Sequence, residues 1–218
     1  MPAHHPPPDA LAAYSTGSAD EAEALLAATH LALCPRCRVV VEGMESVGGG
    51  LLDREPAAPI GDRAFEAVLR RLDAPESADP PRLPPPPAGR DDVPMPLRAL
   101  TGPIDAAPFR QVAPGIRRFD LPLSRPGRPV AILSLRPGLV VPPHRHSAVE
   151  RGLVLRGGFT DEAGQFGRGD VSWRDTEEPE PHRQRIDDGE RCVVLMVDDG
   201  AKIPITWGGK IINALFGL

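Results

Sequence analysis

The chain has 218 residues, enough for one large or two small domains, and carries a net charge of −5. This negative balance argues against nucleic acid as the main partner, because phosphate contacts need clustered lysine and arginine side chains. No run of 18 apolar residues and no signal-like N-terminus is present, so the sequence predicts a cytoplasmic protein without a transmembrane helix.

Residues 9–74 have the apolar spacing of helices. A short first helix is expected around Leu11 to Tyr14. The next helix is predicted to begin in a capping box, with Ser18 capping the helix start and Glu21 reaching back to it. Its apolar period then runs from Ala22 to Leu33.

Two further helices are expected before residue 74. One can begin at Pro35, since proline is tolerated at the first helical position, and the glycines at 48–50 should weaken or end it. The other covers Ile60 to Leu72. One of its faces is apolar, formed by Phe65, Val68, Leu69 and Leu72. The N-terminal module is therefore predicted to be a small bundle of about four helices.

Residues 75–96 hold nine prolines, a density that neither a helix nor a central strand tolerates. This segment is expected to be an extended, semi-rigid linker of polyproline character. It divides the chain into a helical domain at 1–74, the linker at 75–96 and a second domain at 97–218.

The second domain consists of short apolar runs separated by Gly and Asp turns, the pattern of an antiparallel sandwich or small barrel. The predicted strands are Val130–Leu135, Leu153–Leu155, Val171–Trp173, Cys192–Val197 and Ile203–Thr206. Within the fourth of these, Cys192 is expected to behave as a small buried hydrophobe rather than as a redox sensor. Trp173 and Trp207 are expected to fill the interior of the barrel.

The first candidate site is His30, Cys34 and Cys37, spaced as H-x-x-x-C-x-x-C. Pro35 disfavours helical geometry at the residue before it, so Cys34 should lie at a corner between two helices. Zinc takes thiolate and imidazole ligands in tetrahedral arrays, and a closed site needs a fourth ligand, for which His4 and His5 are candidates. The alternatives are a redox pair of cysteines, which would be expected beside a strand-to-helix unit, two cysteines with no special role, or tail histidines with no role.

The second candidate site is His144, His146 and Glu150, framed by Gly138 and Gly157. Alternation along a strand places the two histidines on one face, and imidazole with carboxylate suits a divalent transition metal. His182, after the next hairpin, can supply a fourth ligand. The alternative is a set of surface histidines on a loop.

The second site resembles the first motif of the cupin family: glycine, five residues, H-x-H, a spacer, glutamate, six residues, glycine. The second cupin motif is present in part, with its turn at Gly167 and Gly169 and its histidine at His182. The usual proline of that turn is missing, and Ile186 stands where asparagine is common. The cupin fold is therefore implied more strongly than a catalytic role.

The first site resembles the zinc-binding anti-sigma domain, a helical bundle that sequesters an extracytoplasmic-function sigma factor. Both modules, in this order and at this length, are typical of ChrR-type anti-sigma factors. The resemblance implies Zn²⁺ held by His5, His30, Cys34 and Cys37, with His5 matching the family's N-terminal ligand better than His4. It also implies Zn²⁺ or another divalent metal on the cupin ligands His144, His146, Glu150 and His182.

Two classes of function follow. The first is a zinc-dependent anti-sigma factor whose cupin domain receives an oxidative-stress signal, and whose face around Phe65, Val68, Leu69 and Leu72 inserts between sigma domains. The second is a metal-dependent cupin enzyme resembling dioxygenases, or a small-molecule-sensing cupin, with a helical appendage. The first class predicts a protein partner, no direct nucleic-acid contact, no membrane contact and no catalytic residues.

Overall fold

A computed structural model describes residues 1–61, 63–72, 93–123, 128–142, 144–146, 149–174, 183–198 and 202–204, with only the backbone described at 144–146, 198 and 202–204. In the described residues, the helices all precede the strands. The helices are α1 (Pro8–Ser15), α2 (Glu21–Leu33), α3 (Pro35–Leu52), α4 (Ala64–Leu72) and α5 (Met95–Thr101). The strands are β1 (Arg110–Ala113), β2 (Ile116–Asp120), β3 (Val130–Leu135), β4 (His144–His146), β5 (Glu150–Arg156), β6 (Phe159–Asp161), β7 (Gly164–Phe166), β8 (Val171–Arg174), β9 (Arg185–Ile186), β10 (Cys192–Asp198) and β11 (Lys202–Pro204).

The cap of α2 differs from the sequence prediction. Asp20, in extended backbone, accepts a hydrogen bond from the Glu23 amide at 2.9 Å, whereas the Ser18 hydroxyl donates to the Ala13 carbonyl. The prediction that Ser18 caps the helix was wrong, because aspartate is an equally strong N-cap and stands directly before the first helical residue.

Helix α3 begins at Pro35 as predicted, but the glycines at 48–50 do not end it. The helix continues to Leu52, and the Asp53 amide still bonds to the Gly49 carbonyl at 3.0 Å. Glycine lowers helix propensity by about 1 kcal/mol per residue, yet it can adopt helical dihedral angles without strain.

The segments on either side of the predicted linker are helical. Helix α4 starts at Ala64, four residues later than Ile60, and α5 starts at Met95, inside the range expected to be linker. Val93 and Leu97 are both buried. Residues 73–92 lie outside the described residues, so the linker and its boundaries stay a prediction.

The strands form a sandwich of antiparallel sheets. Six strands pair in the order β1-β2-β3-β10-β5-β8, three in the order β7-β6-β9, and β11 pairs with β4. The predicted strand Val130–Leu135 matches β3, and the next three predicted runs fall within β5, β8 and β10. Of the predicted run Ile203–Thr206, the first two residues lie in β11 and the other two lie outside the described residues. The predicted α + β fold, a helical module followed by an antiparallel β domain, is therefore confirmed, with a sandwich rather than a closed barrel among the described strands.

Both faces are buried in the strands β3, β10 and β5 of the six-stranded sheet. One face, with Ile132 and Leu195, packs against Leu26 of α2 and Leu97 of α5. The other face, with Val194 and Cys192, packs against the three-stranded sheet. Helix α2 therefore belongs to the same core as the sheet, which explains why every residue of β3 is buried rather than every second one.

Two further expectations concern the core. Cys192 is completely buried in the sandwich, as predicted, and burial raises the pKa of its thiol to about 12. Trp173 packs half-buried against the core, and Trp207 lies outside the described residues.

No single described helix is long and apolar enough to cross a membrane. Taken together, helices α2 and α3 have the length and apolar composition of a membrane span, but the pair is bent by 120° at its junction.

Candidate metal centre

The corner between α2 and α3 brings three of the predicted ligands together. His30 lies in the last turn of α2, Cys34 is in extended backbone at the corner, and Cys37 lies in the first turn of α3. Pro35 sets this geometry because it disfavours helical dihedral angles at Cys34 and then begins the next helix. All three side chains are buried.

His5 completes the cluster from the N-terminal tail. Its Nδ1 atom lies 3.5 Å from the Sγ of Cys34 and 3.4 Å from the Sγ of Cys37. A tetrahedral zinc with ordinary bond lengths would separate a nitrogen ligand from a sulfur ligand by about 3.6 Å. The ligand atoms of His5, His30, Cys34 and Cys37 all lie within 4.8 Å of one another, so this set could hold a metal ion.

The two ring nitrogens of His30 have different surroundings. Nδ1 lies 2.9 Å from the carbonyl oxygen of Gly169, to which it donates a hydrogen bond. Nε2 is buried and has no hydrogen-bond partner among the described residues. A neutral histidine held through Nδ1–H presents the lone pair of Nε2, which is the arrangement found in metal-binding histidines. The residues present therefore fit a metal ion.

Burial shifts the acid–base behaviour of this cluster. Removal from water lowers the pKa of His30, so its imidazole is neutral at pH 7. Burial, reinforced by the neighbouring Cys34 thiol, raises the pKa of Cys37 to about 11. Because cysteine binds a metal as its thiolate, a metal ion must displace the proton of Cys37 at neutral pH.

The bundle around the cluster has a small apolar core. Its buried members are Leu11, Leu31, Cys34, Cys37 and Val41. Two of these five are the candidate cysteine ligands themselves. A core of this size supplies little burial energy by itself, so metal binding would contribute directly to folding of the bundle.

His4, the other tail candidate, lies outside the cluster. Its ring stacks on Phe166 with centroids 4.1 Å apart, and its Nε2 lies 3.1 Å from the carbonyl oxygen of Gln165. Of the two tail histidines, it is therefore His5 that lies with the other three candidate ligands.

The second set of predicted ligands is described only in part. His144 and His146 lie on β4, which pairs with β11, but their side chains are outside the described residues, as is His182. Glu150 is the first residue of β5 and is 3% exposed. A metal site in this domain stays a prediction.

The two glycines that frame that motif lie where the backbone conformation favours glycine. Gly138 and Gly157 adopt φ values of 68° and 66°, in the left-handed region that other residues rarely occupy. A Cβ at Gly157 would also lie 2.9 Å from the carbonyl oxygen of Arg191.

The predicted partner face on α4 is exposed. Phe65 is 70% exposed and Leu72 is 75% exposed, and none of the residues of α4 is buried. Val68 and Leu69 are also exposed. On α3, the preceding helix, the apolar side chains of Val47 and Leu51 are exposed as well.

Sequence reasoning missed the contact between the metal cluster and the sandwich. Gly169 and Asp170, in the turn between β7 and β8, contact His30 and the backbone of the N-terminal tail. The sequence marks this turn by Gly167 and Gly169 of the second cupin motif, but no local signal pairs it with residues more than 130 positions away.

Comparison with known proteins accounts for both modules. Residues 98–201 match the family model described as a ChrR cupin-like domain. The anti-sigma-E factor ChrR of Cereibacter sphaeroides is 34% identical over 201 residues, covering 90% of this chain and 89% of the relative. A crystal structure of Rhodobacter sphaeroides SigE in complex with the anti-sigma ChrR matches with a TM-score of 0.77 and 30% identity, covering 91% of this chain and 100% of that one. The chain therefore belongs to the ChrR family of anti-sigma factors, which are regulators rather than enzymes.

Proposed function

We propose that this chain is a zinc-dependent anti-sigma factor of the cytoplasm that sequesters an extracytoplasmic-function sigma factor until an oxidative-stress signal acts through the cupin domain. The observation that carries the proposal is the structural similarity to the ChrR chain that was crystallised with SigE. This similarity covers the whole of that ChrR chain. The buried cluster of two thiols and two imidazoles supports the zinc dependence.

In this proposal His5, His30, Cys34 and Cys37 hold Zn²⁺ at the corner of α2 and α3. The metal would supply binding energy that fixes the tail against the bundle, without taking part in a reaction. The four protein ligands fill a tetrahedral shell, which is typical of a structural site.

The apolar face of α4, formed by Phe65, Val68, Leu69 and Leu72, is the surface we assign to the sigma factor. An exposed helix with such a face matches recognition in which an amphipathic helix enters an apolar groove. Burial of these side chains on the partner would remove exposed apolar area from water at about 25 cal/mol per Å².

In the cupin domain, His144, His146, Glu150 and His182 would bind a second divalent metal, Zn²⁺ or another transition ion. Elemental analysis of the purified chain tests this directly. We expect two metal ions per chain, falling to one when both His144 and His146 are changed to alanine.

The partner assignment is tested by co-purification of the full chain with an extracytoplasmic-function sigma factor from the same organism. Phe65→Ser combined with Leu69→Ser should abolish co-purification, because both side chains are lost from the docking face. Val140→Ser, which removes an apolar side chain 45% exposed elsewhere on the surface, is the matched control and should co-purify normally. Equal recovery with all three proteins would exclude α4 as the docking helix.

A further inference from the structure

The cluster at the corner of α2 and α3 is not built by the helical bundle alone. His30 donates its Nδ1–H to the carbonyl of Gly169, which lies in the turn between β7 and β8 of the sandwich. This bond fixes which nitrogen of His30 faces the cluster, and it comes from the other domain. Such an outer partner orients the ligand ring and increases its basicity.

The same turn holds the tail that carries His5. One carboxylate oxygen of Asp170 accepts hydrogen bonds from the backbone amides of Ala3, at 2.5 Å, and His4, at 2.9 Å. The His4 carbonyl in turn accepts from the Val171 amide at 3.1 Å. These three bonds place the backbone immediately before His5 against the start of β8.

Contacts between side chains reinforce the attachment. The His4 ring stacks on Phe166, which stacks on Phe159 within the sandwich core. Gly169 has φ of 92°, and a Cβ there would lie 2.7 Å from the Cγ of Pro2. The close approach of the tail to this turn therefore depends on glycine at position 169.

Asp170 is itself well anchored. It is 6% exposed, and its second carboxylate oxygen accepts from the Gly167 amide at 2.8 Å. Its backbone carbonyl accepts from the Val154 amide at 3.0 Å, which ties the turn to β5. That strand begins at Glu150, a proposed ligand of the second metal, so this turn is joined by hydrogen bonds to elements that carry ligands of both proposed sites.

We propose that the cupin domain completes the N-terminal metal site, with Asp170 and the Gly169 carbonyl as positioning residues for His5 and His30. The inference rests on the proposed metal binding and goes beyond it, because it makes metal affinity a property of both domains. A shift of the turn would weaken the hold on two of the four ligands at once. Conversely, bound metal would stabilise the turn, since coupling between two sites is reciprocal.

The test uses the full chain and Co²⁺, because the thiolate-to-cobalt absorption reports only a site with cysteine ligands. In competition with a chelator, Asp170→Ala should lower Co²⁺ affinity by about 10- to 100-fold, the usual effect of losing an outer-shell partner. Asp170→Asn should lose less, because the amide oxygen still accepts from the tail. Asp188→Ala, which removes an exposed carboxylate from another turn of the same domain, is the matched control and should bind as the unaltered chain does.

A second readout separates positioning from general destabilisation. Metal should slow hydrogen exchange at the Ala3, His4 and Val171 amides in the unaltered chain, and Asp170→Ala should remove that effect. The Leu195 amide, in the centre of the six-stranded sheet, should exchange alike in both proteins.

The two hypotheses fail in different ways. If the unaltered chain shows no thiolate-to-cobalt absorption, the proposed metal site is wrong, and the inference is overturned with it. If the unaltered chain shows the absorption and Asp170→Ala binds Co²⁺ equally well with unchanged exchange at Val171, only the inference is overturned.

Discussion

The carboxylate of Glu23 on α2 lies 3.0 Å from the guanidinium of Arg151 on β5. Arg151 is almost fully buried, and its guanidinium also lies over the ring of Trp173 at 4.7 Å. Arg128 reaches the same carboxylate at 2.5 Å. The helical module and the sandwich are therefore joined by a partly buried ionic network as well as by an apolar core.

We expect Glu23→Ala to destabilise the full chain by about 1–2 kcal/mol, because it removes a charged acceptor from a poorly solvated arginine. Urea unfolding followed by circular dichroism measures the change. Glu45→Ala, on the exposed part of α3, should change stability by less than about 0.5 kcal/mol. Equal stability of Glu23→Ala and the unaltered chain would show that the network adds nothing at this interface.

Metal affinity at the N-terminal cluster should rise with pH. The Cys37 thiol, with its pKa raised to about 11, is protonated at pH 7 and must lose its proton to bind metal. His30, with its pKa lowered by burial, is already neutral and does not compete in this range. Apparent affinity should therefore increase by about tenfold per pH unit for each proton released. Titration of Co²⁺ at pH 6.5 and pH 7.5 measures this, and pH-independent affinity would contradict it.

The three cysteines should differ in reactivity. Cys192 is completely buried with a pKa of about 12, and the thiolate is the reactive form, so it should not react in the folded chain. Cys34 and Cys37 should be protected by metal and become reactive once a chelator removes it. A chromogenic disulfide reagent should count no thiols with metal and two after chelation. Cys192→Ala should leave both counts unchanged, and a count of three before unfolding would contradict the assignment.

Two glycine substitutions should have opposite effects. Gly157→Ala places a Cβ against the backbone at Arg191 at a positive φ, and should cost about 1–3 kcal/mol. Gly48→Ala, on α3 where nothing lies within 4 Å, should stabilise the chain by up to about 1 kcal/mol. Thermal unfolding of the two variants compares them, and a Gly157→Ala variant as stable as the original would contradict the turn geometry.

Much of the fold could be predicted because its signals are local. Pro35 after Cys34 predicted the corner between α2 and α3, and the apolar run at 130–135 predicted β3. A local signal gave a wrong prediction where two residues could serve as the N-cap. Ser18 and Asp20 are both favourable N-cap residues, and Asp20 is the cap because the helix begins at Glu21.

The joining of the two modules could not be predicted, because it depends on contacts distant in sequence. The proline-rich segment suggested separate domains, yet Leu26 of α2 packs in the same core as Leu195 of β10. One signal was available: β3 and β10 are nearly continuous apolar runs, which is typical of strands covered on both faces. The identity of the covering element was not encoded locally, and neither was the contact of His30 with Gly169.

A zinc-dependent anti-sigma role is tested most directly by the affinity of the full chain for its sigma factor, measured with zinc bound and after zinc has been removed by a chelator. We expect tight one-to-one binding with zinc and a loss of at least about tenfold without it, restored when zinc is returned. The variant with both Cys34→Ser and Cys37→Ser should match the zinc-free chain. Undiminished binding by the zinc-free chain and by this variant would contradict a zinc-dependent anti-sigma factor.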